Sequence, residues 1–283
     1  MKYWLLRLLC LFFLYLLFVL YRSRNSLDTE EIPLSVKNLP AQFHGLRIAF
    51  LSDLHEAALA KRLPSAIDAA HPDILLFGGD MLHKKHHSCD RSLALMGALA
   101  KEYPTYAACG NHEEILKEKD PALWNRFLSE TSSNGVKWLQ NEWIPLKKGS
   151  DTLYLGGISV YYDYYYHPKG HSASDYVGDA PSFYPPPEGV RILMAHDPIQ
   201  LGIYTKWGVD VVLSGHVHGG IVRLPFLGGL LSPARTFCPP RDNGLYKRGN
   251  TQMVVSRGLG NRAIIPRLWN RPHLPIIILQ KGE

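Results

Sequence analysis

From residue 46 onward, short apolar runs alternate with segments of helical periodicity. The apolar runs cover residues 46–54, 73–82 and 105–109, and glycine or polar side chains lie at or just after the end of each. Helical segments at residues 61–70 and 91–102 separate them. Short apolar runs bounded by turn residues are typical of buried strands. Strands and helices in alternation predict a layered α/β core with parallel strand pairing.

A second group of apolar runs follows residue 140. The complete set of further strands and helices predicted along the chain is 143–146, 152–160, 190–195, 209–213, 252–256 and 274–279 for strands, and 121–130 and 199–207 for helices. Two groups of strands with helices outside them predict an α/β fold built as a four-layer α-β-β-α sandwich. Residues 161–188 interrupt this pattern with a Tyr- and Pro-rich insertion. A loop of this length in a compact domain is either functional or disordered.

The N-terminus is apolar from residue 3 to residue 21, and its only charge in that range is Arg7. This length is enough to cross a bilayer, and an arginine near one end can extend toward the lipid headgroups. We therefore predict a membrane anchor over residues 1–24, a polar linker over residues 25–45 and one domain over residues 46–283. An interfacial helix remains an alternative. A cleaved signal peptide fits less well because no small-residue cleavage site follows.

The anchor places the protein in the cell membrane as a single-pass protein, with membrane lipid as a partner. Basic residues flank the apolar segment on both sides, at Lys2 and Arg7 before it and at Arg22 and Arg24 after it. The positive-inside rule therefore does not assign the membrane face. We expect the extracytoplasmic face.

Charge and cysteine content narrow the function classes. The net charge is +6, yet nine basic residues and one acid, Asp242, lie between Arg223 and Arg271. This basic segment is either a solvated face or a wall that attracts phosphate or anionic lipid headgroups. The four cysteines are widely spaced and form no CxxC pair. This spacing excludes a zinc finger and argues against a disulfide framework.

Residues 215–220 read GHVHGG and follow the predicted strand at 209–213. Residues i and i+2 of a strand point to the same side, and flanking glycines let the loop aim both imidazoles at one point. Paired imidazoles at a strand end suit a metal site. Ligands of α/β sheets collect beyond the carboxyl ends of the strands. The other polar groups at predicted strand ends are Asp53 with His55, Gly79 with Asp80, Gly110-Asn111-His112-Glu113, and His196.

These five motifs, in this order, resemble the calcineurin-like metallophosphoesterase superfamily over about residues 45–280. The apolar N-terminus, the SDLH motif at 52–55, Leu-Pro after GHVHGG and SRGLG at 256–260 are similar to a bacterial branch of membrane-associated phosphodiesterases. That branch includes a pyrophosphatase that acts on UDP-diacylglucosamine, a lipid A precursor. The chain departs from its relatives by lacking the twin arginine of some of them. It also has Tyr161 to Tyr166 in place of an Asp-rich segment.

The resemblance implies two divalent metal ions, Mn, Fe or Zn. It assigns Asp53, His55 and His218 to one ion and Asn111, His196 and His216 to the other, with Asp80 bridging them. A carboxylate has lone pairs for two cations, and imidazole suits these metals better than Mg or Ca. The resemblance also implies hydrolysis of a phosphodiester or pyrophosphate bond by metal-activated hydroxide. His112 would protonate the leaving group.

Substrate contacts are less defined by the sequence. Arg257, Asn261 and Arg262 are candidates for binding the substrate phosphate. The histidines at 83, 86 and 87 are interpreted as a solvated loop, with a role at the mouth of the site as the alternative. The substrate is expected to be a lipid-linked or surface phosphate. The alternatives are a nuclease or phosphomonoesterase of the same superfamily and a non-catalytic membrane tether. The anchor, and the lack of interleaved aromatic and basic residues, argue against nucleic acid as a partner. The oligomeric state stays open.

Overall fold

The computed structural model describes residues 2–85, 87–160, 187–224, 226–233, 236–260 and 265–282. Two six-stranded sheets dominate the part of the chain that it describes. The first sheet has the order β1 (Asp28–Val36), β14 (His273–Lys281), β2 (Arg47–Leu51), β3 (Ile74–Phe77), β4 (Thr105–Ala107) and β5 (Val136–Trp138). The second has the order β12 (Gly244–Arg248), β13 (Thr251–Val255), β9 (Val211–Ser214), β8 (Arg191–Met194), β7 (Asp151–Gly157) and β6 (Glu142–Lys148). Runs of consecutive parallel neighbours in both sheets bring several strand carboxyl ends to one edge.

The hairpin strands and the helices have the following bounds. A small hairpin pairs β10 (Arg223–Leu224) with β11 (Gly228–Gly229). The helices are α1 (Lys2–Asn25), α2 (Leu63–Ala70), α3 (Asp90–Glu102), α4 (Asn111–Lys119), α5 (Pro121–Ser133) and α6 (Leu201–Lys206).

Alternating side chains of the central strands separate the layers. In β2, Ile48 and Phe50 join the core between the two sheets, whereas Ala49 and Leu51 join the core beneath α2, α3 and α5. This division follows because successive side chains of a strand point to opposite faces. On the far side, α6 covers the outer face of the second sheet, where Tyr204 packs in the third apolar cluster. The predicted α/β fold with four layers, α-β-β-α, is confirmed.

The predicted linker over residues 25–45 is wrong. Its middle part forms β1, which pairs in parallel with β14 along nine residues, and a 3-10 turn follows at Ala41–Phe43. Three apolar side chains of β1, Ile32, Leu34 and Val36, are buried. They alternate with exposed residues, which makes the segment look polar although one face belongs to the core. The sheet therefore begins at Asp28.

The apolar N-terminus forms one long helix, α1, as expected. It is the helix in the described part of the chain that is long and apolar enough to cross a membrane, judged by length and composition. Most of its side chains are exposed, but Val19 and Ser23 near its C-terminal end are buried. Tyr15 accepts a hydrogen bond from Trp269 Nε1 at 3.2 Å. The helix thus contacts the domain along its last three turns.

Candidate metal centre

The seven predicted metal ligands all lie at the carboxyl ends of strands, and both sheets contribute to them. Asp53 and His55 follow β2, Asp80 follows β3, and Asn111 starts the helix α4 after β4. From the second sheet, His196 follows β8, and His216 and His218 follow β9. The structure brings the seven residues into one buried cluster at the edge where the two sheets meet.

The first group of ligands is Asp53, His55 and His218. Their ligand atoms lie within 4.8 Å of one another. The Nε2 atoms of the two imidazoles are 3.0 Å apart, and the rings stack at 4.9 Å between centroids. Oδ1 of Asp53 is 3.3 Å from Nε2 of His218. Two imidazole nitrogens and a carboxylate oxygen converging at these distances form a set that can hold one divalent cation.

The second group is Asp80, His196 and His216, again with ligand atoms within 4.8 Å of one another. Oδ2 of Asp80 lies 3.3 Å from Nε2 of His196 and 3.8 Å from Nε2 of His55. Asp80 is therefore positioned between the two groups. Asn111 joins the second group, because its Oδ1 lies 2.9 Å from Nδ1 of His216.

Hydrogen bonds on the far side of two rings orient them for binding a cation. His55 Nδ1 donates to the carbonyl of Leu82 at 3.1 Å, and His196 Nδ1 donates to that of Gly78 at 2.7 Å. Each neutral ring therefore directs the lone pair of Nε2 into the site. Nε2 of His196 is buried and has no hydrogen-bond partner among the residues that the structure describes. A buried polar atom without a partner is costly, and a metal ion satisfies it. The donor set fits the expected divalent metals.

The electrostatics of the centre also favour a cation. Burial raises the pKa of Asp80, but the imidazoles of His112, His196 and His55 outweigh burial and hold this pKa well below its usual range. Burial lowers the pKa of His196, but the charges of Asp80 and Asp53 outweigh it and raise the pKa to about 10. The carboxylates thus attract positive charge to this point. A divalent cation can neutralise them in place of the proton on His196.

The backbone of the ligand loops is strained. Positive φ angles between 50° and 68° occur at five of the seven ligands, namely Asp53, His55, Asp80, His216 and His218. A non-glycine residue in the left-handed region costs about 1–3 kcal/mol and persists where the surroundings over-determine it. The glycines in the motifs allow the loops to approach, since a Cβ on Gly215 would clash with the carboxylate of Asp53 and one on Gly110 with that of Asp80.

His112 lies at the rim of the cluster, where the resemblance predicted a proton donor. Its Nδ1 accepts a hydrogen bond from the backbone N–H of Lys84 at 3.0 Å, so the neutral ring carries its proton on Nε2. Nε2 faces the site, 3.8 Å from Oδ2 of Asp80. The backbone N–H of His112 donates to the other oxygen of Asp80 at 2.8 Å. Burial lowers the pKa of His112 well below its ordinary value, although Asp80 opposes this.

The interpretation of the histidine-rich loop as solvated holds only in part. His83 is half-buried and lies edge-on to His112, with 4.9 Å between ring centroids, and 5.8 Å from the ring of His55. His87 is exposed. His86 lies outside the described residues. The sequence carried no signal that would separate His83 from its neighbours, since the loop conformation alone brings it to the centre.

Two buried glutamates to which the sequence assigned no role accept backbone hydrogen bonds near the predicted ligands, and Glu113 joins two of the ligand loops. Glu113 accepts backbone N–H bonds from Asp80 at 2.7 Å, from Leu82 at 2.9 Å and from Gly110 at 2.9 Å. Burial and the charge of Asp80 raise the pKa of Glu113 to about 7. Glu56 caps the start of α3 in a similar way. A capping-box pattern, with a glutamate three residues after Gly110, is the signal that identifies Glu113.

Arg267 is a further buried residue of the site. Its Nη2 donates to the carbonyls of Arg257 at 2.8 Å and Gly258 at 3.2 Å, and it lies 3.5 Å from Nδ1 of His218. Burial lowers the pKa of Arg267 to about 9. These bonds hold the loop at 256–260 against the first ligand loop, where the backbone N–H of Gly260 donates to the carbonyl of Asp53.

Arg257, predicted to contact substrate phosphate, is buried and engaged elsewhere. Its guanidinium donates to Asp28 at 2.5 Å and to Asn243 at 3.1 Å. These bonds tie β1 to the loop after β13, so the structure gives Arg257 a structural role. The other two candidates for substrate contact, Asn261 and Arg262, lie outside the described residues, as do Tyr161 to Tyr166 and most of the insertion.

A four-layer α/β sandwich with two clustered ligand groups sharing a carboxylate defines the class of two-metal hydrolases. The chain belongs to the calcineurin-like phosphoesterase family, whose model matches residues 46–220. It is therefore a phosphoric ester hydrolase. The family generally binds two divalent metals, and the His and Asp clusters of this chain suit them.

Three relatives illustrate the similarity. The metallophosphoesterase YkoQ of Bacillus subtilis is 28% identical over 91% of this chain and 93% of its own length. A transmembrane protein with a metallophosphoesterase domain from Danio rerio is 26% identical over 89% of this chain and 57% of its own length. The phosphodiesterase YaeI of Escherichia coli is 26% identical over 82% of each chain. The similarity to these proteins extends beyond the matched motifs to most of this chain.

Proposed function

We propose that the protein is a membrane-anchored, two-metal phosphodiesterase or pyrophosphatase that acts on a lipid-linked or surface phosphate. The observation that carries the proposal is the position of Asp80 between two groups of ligand atoms. A second observation is the exposed apolar helix α1 beside the domain. The E. coli relative is named a phosphodiesterase and the Danio rerio relative a transmembrane protein, which supports both halves of the proposal.

The ligand assignment follows the two clusters. Asp53, His55 and His218 hold one cation, and Asn111, His196 and His216 hold the other, with Asp80 shared between them. When bound, two divalent cations act as Lewis acids on phosphate oxygens and lower the pKa of water. The buried Asp53 and Asp80 supply negative charge that offsets the repulsion between the two cations. Manganese, iron and zinc all suit a site of imidazole and carboxylate ligands.

His112 acts on the leaving-group oxygen. Its Nε2 proton points toward the cluster, and its ring is fixed by the hydrogen bond from Lys84 to Nδ1 and by the contact with His83. A ring held at the rim can donate this proton to the oxygen that departs from phosphorus, while the buried ligands face the phosphate. In this proposal His112 assists departure of the leaving group, although its ligand atom also lies within 4.8 Å of those of His55 and Asp80.

The proposed substrate is a phosphate compound held at the membrane surface. The enzyme would act in the cell membrane on a phosphate held at the lipid surface, because α1 holds the domain there. The basic residues between 223 and 271 are only partly available for this role, since Arg223 pairs with Asp242 and Arg257 with Asp28. Substrate recognition therefore depends on the metal centre and on the surface near α1 more than on a broad basic face.

Hydrolysis assays on full-length protein in detergent test the proposal. A bis-aryl phosphate and a mono-aryl phosphate are compared, each with a chelator and with added Mn²⁺, and Asp80→Asn serves as the inactive control. We expect Mn²⁺-dependent turnover of the diester in preference to the monoester. Preference for the monoester would identify a phosphomonoesterase instead. Turnover of neither ester by metal-loaded protein would contradict a diesterase and favour a non-catalytic tether.

A further inference from the structure

An exposed apolar surface lies beside the metal centre at the tip of the β10–β11 hairpin. We name it the hairpin surface and define it by Leu224, Phe226, Leu227 and Trp269. Phe226 is fully exposed and Leu227 is 73% exposed. Together with Arg223 and Gly228, these residues line an open groove of about 660 Å³. Large apolar side chains exposed side by side mark a contact surface more often than isolated ones do.

The backbone of this surface is strained at two aromatic residues. Phe226 has φ of 68° and Trp269 has φ of 50°. The left-handed region is a genuine outlier for bulky side chains. Such strain is retained where it serves a function, because a relaxed backbone with a smaller residue would cost less. The hairpin thus presents an aromatic ring to its surroundings at the expense of local stability.

The contact between Trp269 and Tyr15 fixes the position of the hairpin surface along the axis of α1, and so its depth in a bilayer that α1 crosses. The two rings lie 6.4 Å apart, and Trp269 Nε1 donates to the Tyr15 hydroxyl. Arg22 and Arg24, near the end of α1, are exposed and suit the headgroup layer. Tyr15 lies seven residues before Arg22, which is about 10 Å along a helix. If the arginines lie among the headgroups, Trp269 lies near the boundary of the acyl chains.

We propose that the hairpin surface inserts into the interface of the bilayer that α1 enters. The occupant is lipid, because the surface continues directly from an exposed apolar helix and combines aromatic and aliphatic side chains, as interfacial segments do. Insertion by about 5–10 Å matches the depth set by Tyr15. This inference rests on the proposed function, since it requires α1 to lie in the membrane.

Insertion of this surface would orient the catalytic centre toward the lipid. Asn270, next to Trp269, donates to the carbonyls of His218 at 2.8 Å and Ile221 at 3.0 Å. The guanidinium of Arg223 donates to the carbonyl of Gly219 at 2.9 Å. The hairpin surface is therefore tied directly to the loop that carries two metal ligands. A substrate phosphate at the same lipid surface would reach the centre without leaving the membrane.

Site-specific fluorescence in full-length protein reconstituted into phosphatidylcholine and phosphatidylglycerol vesicles tests the inference. Cys10 and Cys238 are the exposed cysteines of the described chain, whereas Cys89 and Cys109 are buried. A polarity-sensitive fluorophore is attached to Phe226→Cys in a background with Cys10→Ser and Cys238→Ser. The matched control is Lys148→Cys. Lys148 is exposed and ends β6, an edge strand of the second sheet, outside the β10–β11 hairpin. A third variant, Cys238→Ser alone, labels the native Cys10 within α1.

We expect a blue shift at position 226 and loss of its emission with lipids brominated on the upper part of the acyl chain. Lipids brominated near the chain end are used for position 10, because Cys10 lies about 18 Å along the helix from Arg22. Position 148 should show neither change. Loss of emission at position 10 together with position 226 supports the inference. Loss of emission at position 10, with neither a blue shift nor loss of emission at position 226, overturns the inference but is consistent with the anchor. No loss at position 10 means that α1 is not in the bilayer, and it overturns both the anchor and the inference. All four substitutions are at exposed positions, and unchanged hydrolysis of a bis-aryl phosphate verifies the fold.

Discussion

Nε2 of His196 lies 3.3 Å from Oδ2 of Asp80, and both atoms are buried without forming a hydrogen bond to each other. The ring is held by Gly78 on its other side, so its free nitrogen and the carboxylate oxygen face a common point. Asp53 also approaches, with Oδ1 3.7 Å from the same nitrogen. One nitrogen and two carboxylates directed at a common point form a set that favours a bound cation. This arrangement also identifies Asp80 as the residue on which both ligand groups depend.

Replacing Asp80 with Asn should abolish catalysis. An amide can ligate one cation, as proposed for Asn111, but it has no negative charge to hold two together. We expect kcat for a bis-aryl phosphate to fall by about 10³-fold or more, with less metal bound per chain. Hydrolysis rates and elemental analysis of purified protein measure these changes. Asp151→Asn is the control, because this carboxylate accepts a hydrogen bond from the backbone N–H of Gln42 at the surface. Retention of two metals and full activity in Asp80→Asn would refute its bridging role.

Replacing His112 with Asn should separate catalysis from metal binding. We expect kcat to fall by about 10²- to 10⁴-fold while metal content stays unchanged, because the proposed role of His112 is proton donation rather than metal binding. The loss should be smaller for a nitrophenyl leaving group than for an alkyl one, because a good leaving group needs less protonation. His71→Asn is the control, at an exposed left-handed position that Asn tolerates. Equal losses for both leaving groups would argue against proton donation.

Much of the fold could be predicted because the central strands are apolar on both faces. β2 and β3, at the centre of the first sheet, consist almost entirely of buried residues and stand out in the sequence. β1 was missed because its buried residues alternate with polar ones and its strand contains Pro33. β5 and β12 were missed because they are short or largely exposed. Their place in the sheets depends on partners that are distant in sequence.

The candidate ligands could be proposed from the sequence because each follows a recognisable strand end, and the structure brings these residues together. Arg267 could not be singled out, because it acts through buried hydrogen bonds to backbone atoms of another loop. Glu113 has a local signal in its position three residues after Gly110, but its bonds to the loop after β3 could not be predicted. Nothing in the residue types alone shows that a charged side chain is buried. Arg257 shows the opposite error, since its basic character suggested phosphate binding but its partner is Asp28, more than 200 residues earlier.

Glu113→Gln should destabilise the protein. An amide oxygen can replace only one of the two carboxylate oxygens that accept three backbone N–H groups, so at least one buried donor loses its partner. We expect a loss of about 2–3 kcal/mol, which corresponds to a fall in Tm of about 4–12 °C. Thermal unfolding in detergent measures this loss. Glu130→Gln, in an exposed pair with Arg126, should change stability by less than about 0.5 kcal/mol. Similar losses of stability in both variants would contradict a stabilising role for the backbone hydrogen bonds that Glu113 accepts.

Truncation should show that β1 belongs to the domain. A variant that begins at residue 26 keeps the strand and should fold and hydrolyse a bis-aryl phosphate. A variant that begins at residue 40 loses the buried side chains of Ile32, Leu34 and Val36 and exposes β14 as an edge. Each such side chain contributes about 1.5–3 kcal/mol. We expect the shorter variant to aggregate or to melt at a much lower temperature. Equal Tm values for the two variants would show that β1 is dispensable.

The pair formed by His273 and Glu30 predicts a pH dependence of stability away from the metal centre. His273 is buried, its Nδ1 accepts from the backbone N–H of Arg257, and its Nε2 donates to Glu30 at 2.9 Å. Burial lowers the pKa of His273, against the opposing hydrogen bond to Glu30. That hydrogen bond in turn lowers the pKa of Glu30. Both groups therefore bind protons more readily in the unfolded chain than in the folded one.

The sign of the effect follows from this difference. Stability from His273 is present above an unfolded pKa of about 6.5 and is lost as the pH falls below it, and stability from Glu30 is lost at lower pH still. His273→Gln removes the titrating ring, so its Tm should fall less steeply than that of the native protein between about pH 7.5 and pH 5.5. Thermal unfolding across this range measures the two slopes. His44→Gln, at an exposed position, should keep the native slope. A slope in His273→Gln equal to the native one would mean that other groups cause the acid sensitivity.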